Sequence, residues 1–158
     1  MASGIFNLMQ IISKSPKETI NIGKKIARNL RAADIVCLFG NLGSGKTVLT
    51  KGIAQGLRLC PNRITSPSFV LIRQYHNARI PLFHFDLYRL KGELDILALG
   101  YEDYLYGTGV SVIEWADRLK RLLPDEFLKV KLEVSAKNRR KITITPLGKR
   151  YKDLIKSL

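Results

Sequence analysis

Cysteine is scarce in this 158-residue sequence, and long hydrophobic runs are absent. The two cysteines, Cys37 and Cys60, have neither metal-ligand spacing nor the pattern of a disulfide framework, so we expect two buried free thiols in a reducing cytoplasm. The two histidines, His76 and His84, form no cluster with them, which argues against a zinc site. Because no stretch of about 18 apolar residues occurs, the sequence predicts no membrane span.

Acidic residues are also few, since 13 Asp and Glu face 27 Lys and Arg and the net charge is +14. Residues 1–60 carry a net charge of +7, residues 61–117 carry −2 and residues 118–158 carry +9. A basic surface attracts phosphate-rich partners such as nucleic acid. A solvated surface rich in lysine and arginine explains the same composition, so both interpretations stay open.

The length and the 46% apolar content fit one domain that spans residues 1–158. Residues 1–14 lack the positive start of a signal peptide, and we expect them to form a lead-in and an edge strand. Residues 146–158 read as a basic C-terminal tail.

Residues 40–47, GNLGSGKT, have the GxxxxGK[ST] spacing of a phosphate-binding P-loop. Glycines allow the backbone to approach a ligand, so that successive N–H groups point at phosphate oxygens. Lys46 would reach the phosphates, and the Thr47 hydroxyl would bind Mg²⁺. An apolar, β-branched strand over residues 33–39 and a helix over residues 48–57 flank the loop, as this mechanism requires.

The remaining elements follow from capping, alternation and turn residues. The capping box of Ser15 and Glu18, with proline between them, predicts a helix that starts at Pro16. We expect a strand hairpin over 69–75 and 82–88, short helices over 93–99 and 101–105, a strand over 110–113, a helix over 116–123, and strands over 127–135 and 141–145. This order predicts a P-loop NTPase-like α/β sandwich of three layers, with a mixed parallel and antiparallel sheet and helices on both faces.

Two carboxylates stand within or directly after predicted strands. Asp86 lies among Phe83, Phe85 and Leu87 in a predicted strand, where a carboxylate is costly to bury unless it is paired. An acid in a hydrophobic strand beside a P-loop serves the magnesium ion in the Walker B role. Alternation also allows an outward-facing aspartate at this position. Glu114 ends the next apolar run, and ligand crevices lie at the carboxyl ends of strands in open α/β sheets. We therefore expect the loop, Asp86 and Glu114 to converge.

The ordered motifs GNLGSGKT, TSPSF, HFDLYRL, ELDILALGYEDYL and IEWADR resemble those of the TsaE family, small P-loop ATPases that take part in forming threonylcarbamoyladenosine in tRNA. The resemblance implies a bacterial cytoplasmic protein that binds ATP with Mg²⁺, hydrolyses it slowly to ADP, and joins the TsaD and TsaB proteins. It implies that the phosphates are held by Gly40, Asn41, Leu42, Gly43, Ser44, Gly45, Lys46, Thr47 and Val48.

The same resemblance implies that Thr47 and Glu114 hold the magnesium ion and that Asp86 is the Walker B acid. Ser66 and Ser68 belong to a switch-like segment, and Trp115 would pack near the site. The predicted catalytic residues are thus Lys46, Asp86 and Glu114, and either acid could orient the attacking water.

Some features depart from the family pattern or leave alternatives open. Asn41 and Ser44 stand where aspartate and alanine are common, and Ser68 replaces threonine. Arg89 and Arg118 are candidate arginine fingers, unless a partner supplies one. Two other functions stay open: a small-molecule P-loop kinase, and an adaptor that contacts tRNA and holds a structural nucleotide. A GTPase is disfavoured because no NKxD motif occurs.

Overall fold

The computed structural model describes residues 7–65 and 70–158, and the elements below are those of this part of the chain. In chain order they are β1 (Met9–Ser13), α1 (Pro16–Arg28), β2 (Ile35–Phe39), α2 (Lys46–Gly56), β3 (Ile72–Tyr75), β4 (Leu82–Asp86), α3 (Glu93–Ala98), α4 (Tyr101–Leu105), β5 (Val110–Glu114), β6 (Phe127–Ala136), β7 (Arg139–Leu147) and α5 (Lys149–Ile155), with short 3-10 helices at Pro61–Arg63 and Ala116–Leu122.

The strands of the described part form one mixed sheet in the order β1-β7-β6-β2-β5-β4-β3. The neighbours β6, β2, β5 and β4 are parallel, whereas β1, β7 and β3 join antiparallel. All five residues of β4 and of β5 are buried, as expected for parallel strands covered on both faces. The predicted hairpin is confirmed, because β3 and β4 pair antiparallel.

Helices cover both faces of the sheet. On one face α1, α2 and α5 bury side chains such as Ile26, Leu49 and Leu154. On the other face α3, α4 and the 3-10 helix Ala116–Leu122 bury Ile96 and Leu119. The predicted fold class, a three-layer α/β sandwich with a mixed sheet, is therefore confirmed.

Close packing of α1 on α2 fixes the helix that follows the glycine loop. A Cβ at Gly23 would lie 2.6 Å from the carbonyl oxygen of Leu49, and a Cβ at Gly52 would clash with the carbonyl of Ile20. Helix α1 starts at Pro16 as predicted, and the Ser15 hydroxyl accepts the Glu18 N–H at 3.2 Å. The Glu18 carboxylate accepts from the backbone of Lys14.

The C-terminal segment differs from the predicted basic tail. Helix α5 buries Tyr151, Leu154 and Ile155, and the Tyr151 hydroxyl accepts the backbone N–H of Ile35 at 2.8 Å. These three positions share one face of a helix, so apolar burial orders the segment while its basic residues stay outside.

Three further expectations were wrong in detail. Cys37 is buried, but Cys60 is exposed because its neighbour Leu59 takes the core-facing position. The segment after Trp115 is a 3-10 helix interrupted at Lys120. Strands β6 and β7 extend to residues 136 and 139, because Asn138 adopts a positive φ of 60° and closes a tighter turn.

The edge strand predicted within residues 1–14 is β1. No helix in the described ranges combines the length and the apolar character that a membrane crossing needs.

Candidate active site

The parallel strands β2, β4 and β5 end at the same edge of the sheet, where a cleft of about 410 Å³ opens. The glycine loop borders the cleft on one side, with Leu42, Gly43, Gly45, Lys46, Thr47 and Val48. Asp86, Glu114 and Trp115 border it on the other. The residues predicted at the ends of these strands therefore share one cleft.

The backbone of the loop needs glycine at several positions. Gly43 and Gly45 have φ values of 78° and 103°, which side chains rarely tolerate. A Cβ at Gly40 would lie 2.5 Å from both the carbonyl oxygen of Leu132 and the hydroxyl of Ser44. Helix α2 then begins at Lys46 with no side-chain cap, so its first N–H groups stay available to an anion.

The ammonium of Lys46 lies against the loop. Its Nζ donates to the carbonyl oxygens of Gly40 at 2.6 Å and Asn41 at 3.0 Å, and lies 4.0 Å from the ring centroid of Trp115. Burial lowers the pKa of Lys46 below its ordinary value, and the nearby negative charge of Glu114 opposes that shift most strongly.

Glu114 is buried at the end of β5, and polar atoms of three side chains lie within hydrogen-bond distance of its carboxylate. The Thr47 hydroxyl donates to Oε2 at 2.9 Å, and the Thr50 hydroxyl lies 3.3 Å from Oε1. His84 Nε2 lies 2.7 Å from Oε1. A hydroxyl and a carboxylate side by side are oxygen ligands of the kind Mg²⁺ prefers, with the remaining positions left to water and phosphates.

Asp86 ends β4 directly opposite Glu114 in the parallel register. It is 4% exposed and borders the cleft, so it is not the outward-facing strand aspartate that alternation also allowed. Its Oδ1 accepts the backbone N–H of Tyr88 at 3.0 Å, which fixes the chain where it leaves the strand. The position fits the Walker B prediction, and the role itself stays a prediction.

Trp115 forms part of the cleft wall as expected. It has left-handed backbone angles, φ 57° and ψ 43°, which are uncommon for a bulky residue and occur often at functional sites. The turn brings its ring against Tyr88, with 4.9 Å between ring centroids, and under the ammonium of Lys46.

Some predicted site residues do not border this cleft. Gly40, Asn41 and Ser44 lie behind the loop and face a hollow beside β6. Ser66 and Ser68 lie outside the described residues. Of the two arginines considered as fingers, Arg89 borders the cleft. Arg118 instead directs Nη1 at the carbonyl of Leu90, 3.5 Å away.

A family model described as "Threonylcarbamoyl adenosine biosynthesis protein TsaE" matches residues 13–142. The chain belongs to the TsaE family. It is 38% identical to the tRNA threonylcarbamoyladenosine biosynthesis protein TsaE of Bacillus subtilis, across 91% of this chain and 89% of that protein. It is 40% identical to the TsaE of Treponema pallidum, across 86% and 99% of the two chains.

The fold agrees with a solved structure. The crystal structure of Bacillus subtilis YdiB superposes with a TM-score of 0.82 at 34% identity, and the match covers 98% of this chain and 95% of that one. The resemblance to the TsaE family that the motifs indicated is therefore confirmed.

Three residues of this TsaE-family site were missed by sequence reasoning. His84 precedes Asp86 by two residues and so shares its strand face, and Thr50 follows Lys46 by one helical turn. Both signals were present but unused. Arg140 gave no local signal, because the β6–β7 hairpin brings it to the loop, where its guanidinium donates to the carbonyls of Ser44 at 3.1 Å and Gly43 at 3.2 Å.

Proposed function

We propose that this chain binds ATP with Mg²⁺ in the cytoplasm and hydrolyses it slowly, as an accessory ATPase of threonylcarbamoyladenosine formation in tRNA. The observation that carries the proposal is one cleft that joins the glycine loop with Lys46, Thr47, Asp86 and Glu114. Membership of the TsaE family and the similarity to threonylcarbamoyladenosine biosynthesis proteins support the pathway. We further propose that the chain acts on a complex of the TsaD and TsaB proteins.

The residues of the cleft suit both a phosphate chain and Mg²⁺. Positive φ angles at Gly43 and Gly45, together with the uncapped start of α2, suit a phosphate chain. The pair of Thr47 and Glu114, with 2.9 Å between their oxygens, suits Mg²⁺, which is usually bound by one or two protein oxygens plus substrate phosphates.

Each of these side chains has a positional or electrostatic role, because phosphoryl transfer needs little covalent help from the protein. When bound, Mg²⁺ neutralises charge on the phosphate oxygens. The ammonium of Lys46 adds a fixed positive charge at the loop, and the Trp115 ring beneath it limits its movement. Glu114 or Asp86 accepts a hydrogen bond from the attacking water and orients it.

The arginines around the cleft support the proposal of slow turnover that depends on partners. Arg140 is already committed to two loop carbonyls, and it braces the loop. Arg89 borders the open side of the cleft, where a docked protein could reorient it or add a cation of its own. We therefore expect the TsaD and TsaB proteins to stimulate hydrolysis.

The test is a phosphate-release assay on the parent, Lys46→Ala and Lys51→Ala, each with and without the TsaB and TsaD proteins. Lys46→Ala should abolish hydrolysis, because it removes the cation at the loop. Lys51→Ala is the matched control, since it makes the same change on the same helix outside the cleft. Equal rates for Lys46→Ala and the parent would reject the ATPase proposal, and a lack of stimulation would reject the partner proposal.

A contact with tRNA is a second proposal, supported by the basic turn between β6 and β7. Lys137 and Arg139 are exposed there, next to Arg140 and Lys141. Titration of tRNA at about 50 mM and about 200 mM salt should show binding that weakens steeply as salt rises. No binding at the lower salt concentration would reject direct contact.

A further inference from the structure

We propose that His84 is a positioning residue that holds the Glu114 carboxylate in the orientation needed for Mg²⁺. The proposal deepens the proposed function and rests on it. It gives a role to the buried imidazole of His84, which has none in the proposed mechanism of the glycine loop, Asp86 and Glu114.

The strand register places the imidazole beside the carboxylate. His84 pairs with Val112 across the parallel strands β4 and β5, and Glu114 lies two residues further along on the same face. His84 is fully buried, and its Nε2 lies 2.7 Å from Glu114 Oε1. Helix α2 covers this pair through Thr47 and Thr50.

The hydrogen bonds around Glu114 make His84 the main donor to its oxygen Oε1. Thr50 has one hydroxyl proton but two acceptors in reach, the carbonyl of Lys46 at 2.9 Å and Glu114 Oε1 at 3.3 Å. The shorter contact takes the proton, as is common for threonine within a helix. Oε1 is therefore left to His84, while Thr47 holds Oε2 on the cleft side.

The other ring nitrogen supports this assignment. His84 Nδ1 is buried, and among residues 7–65 and 70–158 it has no hydrogen-bond partner. A ring that carries its proton on Nε2 donates to the carboxylate and leaves only a lone pair unpaired at Nδ1. The opposite tautomer would set two acceptors face to face at 2.7 Å and strand a buried N–H.

The consequence concerns the metal. Thr47 is itself a predicted metal ligand, and it would bind the ion through an oxygen lone pair while its proton stays on Glu114 Oε2. His84 restrains the other carboxylate oxygen, Oε1, so both donors are needed to fix the orientation of the carboxylate. Removal of a hydrogen-bond partner that orients a metal ligand typically lowers metal affinity by about 10- to 100-fold.

Three substitutions separate positioning from packing. His84→Leu removes the donor and fills the space. In His84→Gln the amide nitrogen reaches roughly as far as Nε2, whereas in His84→Asn it reaches only as far as Nδ1. Gln and Asn therefore have the same chemistry and differ in whether the donor reaches Glu114.

The first measurement is the fluorescence of Trp115, which is the only tryptophan in the sequence and borders the cleft. ADP is titrated without metal, and Mg²⁺ is then titrated into the ADP complex. For His84→Leu and His84→Asn we expect the half-saturating Mg²⁺ concentration to rise about 10- to 100-fold, with metal-free ADP affinity within about 2-fold of the parent. His84→Gln should stay within about 3-fold of the parent.

The outcomes separate this inference from the proposed function. If the parent responds to Mg²⁺ and all three variants match it, the positioning role is wrong and the ATPase proposal stands. If the parent binds no ADP, the ATPase proposal fails and the inference about His84 is decided by the nitrogen-15 spectrum of its ring. If His84→Leu does not fold, as judged by thermal melting, the comparison of Gln with Asn decides.

A second measurement needs no nucleotide. Nitrogen-15 NMR of the histidine rings in the nucleotide-free protein should show the His84 proton on Nε2. A proton on Nδ1 alone would overturn the proposal. Because this spectrum reports only on the pair of His84 and Glu114, it tests the inference even if ATP binding is disproved.

Discussion

Asp34 and Glu114 are two buried carboxylates at opposite ends of neighbouring parallel strands, and they are stabilised in different ways. Asp34, just before β2, accepts two hydrogen bonds from the guanidinium of Arg150, at 2.6 and 3.1 Å. Glu114, at the end of β5, accepts from Thr47 and His84, with the Thr50 hydroxyl 3.3 Å away, and among the described residues no lysine or arginine nitrogen lies within 4.0 Å of it.

The difference separates a structural end of the sheet from a functional one. The charge of Asp34 is balanced inside the fold, and the Arg150 guanidinium also donates to the carbonyl of Asn29, so the pair ties α5 to the start of β2. The charge of Glu114 is hydrogen-bonded but not balanced by a contacting cation. A buried carboxylate in that condition is suited to a cation that comes from solution.

The largest expected effect comes from neutralising Glu114, which lies at the cleft end of the sheet. Glu114→Gln keeps the shape but removes the charge, so Mg²⁺-dependent phosphate release should fall by about 100-fold or more. The melting temperature should stay equal or rise, because a buried charge with no contacting cation is removed. If hydrolysis stays within about 3-fold of the parent, Glu114 has no essential role in metal binding and the contrast with Asp34 loses its functional meaning.

The same acid-to-amide change at Asp34, at the opposite end of the sheet, should lower the stability of the fold and leave hydrolysis almost unchanged. Asp34→Asn leaves the Arg150 guanidinium without its ion pair, and we expect a loss of about 2–3 kcal/mol in the free energy of unfolding, less than for a fully buried pair because Arg150 is 24% exposed. Urea denaturation measures this loss. ATP hydrolysis at 25 °C should remain within about 2-fold of the parent.

A double-mutant cycle sharpens that result. Arg150→Gln should cost a similar amount, and the double variant should cost less than the two single changes added together, since both remove one interaction. Lys152→Gln on the same helix is the matched control, because Lys152 is exposed and should be neutral. A loss of hydrolysis in Asp34→Asn that exceeds its loss of folded protein would contradict a purely structural role.

The parts of the fold and site predicted from the sequence were those with local signals. The glycine loop lies within eight residues and needs only its own backbone, and the β3–β4 hairpin joins two neighbouring strands. Asp86 was found as a carboxylate among apolar strand residues and Glu114 as the acid at the end of an apolar run, and the parallel register brings the two together.

What was missed depends on contacts between distant parts of the chain. Arg140 reaches the loop from 96 residues away, and Arg150 reaches Asp34 from 116 residues away. The sequence contains many basic residues, so nothing local separates these two from solvated ones. His84 was considered only as a zinc ligand, and its real neighbour became visible once the register of β4 against β5 was known.

The smallest expected effect also lies at the structural end, where Tyr151 packs beside Arg150. Burial raises the pKa of Tyr151 from its ordinary 10.0 to about 12, because the phenolate is the charged form and the fold favours the neutral one. The stabilising contribution is therefore fully present below pH 10 and is lost as the pH rises toward 12. After allowance for solvent screening, the loss is roughly 2 kcal/mol.

Urea midpoints measured between pH 7 and pH 12 test this prediction. Tyr151→Phe leaves the buried N–H of Ile35 without its acceptor, so it should lower stability at pH 7 by about 1–2 kcal/mol. It should also reduce the loss of stability between pH 10 and pH 12.

Burial raises the pKa of Cys37 as well, so some loss of stability remains in this variant. The matched control is Tyr106→Phe, because Tyr106 is exposed. If Tyr151→Phe and Tyr106→Phe lose stability with the same slope above pH 10, the Tyr151 hydroxyl is not protected by burial. The ordered α5 would then owe its position to the pair of Asp34 and Arg150 and to apolar packing.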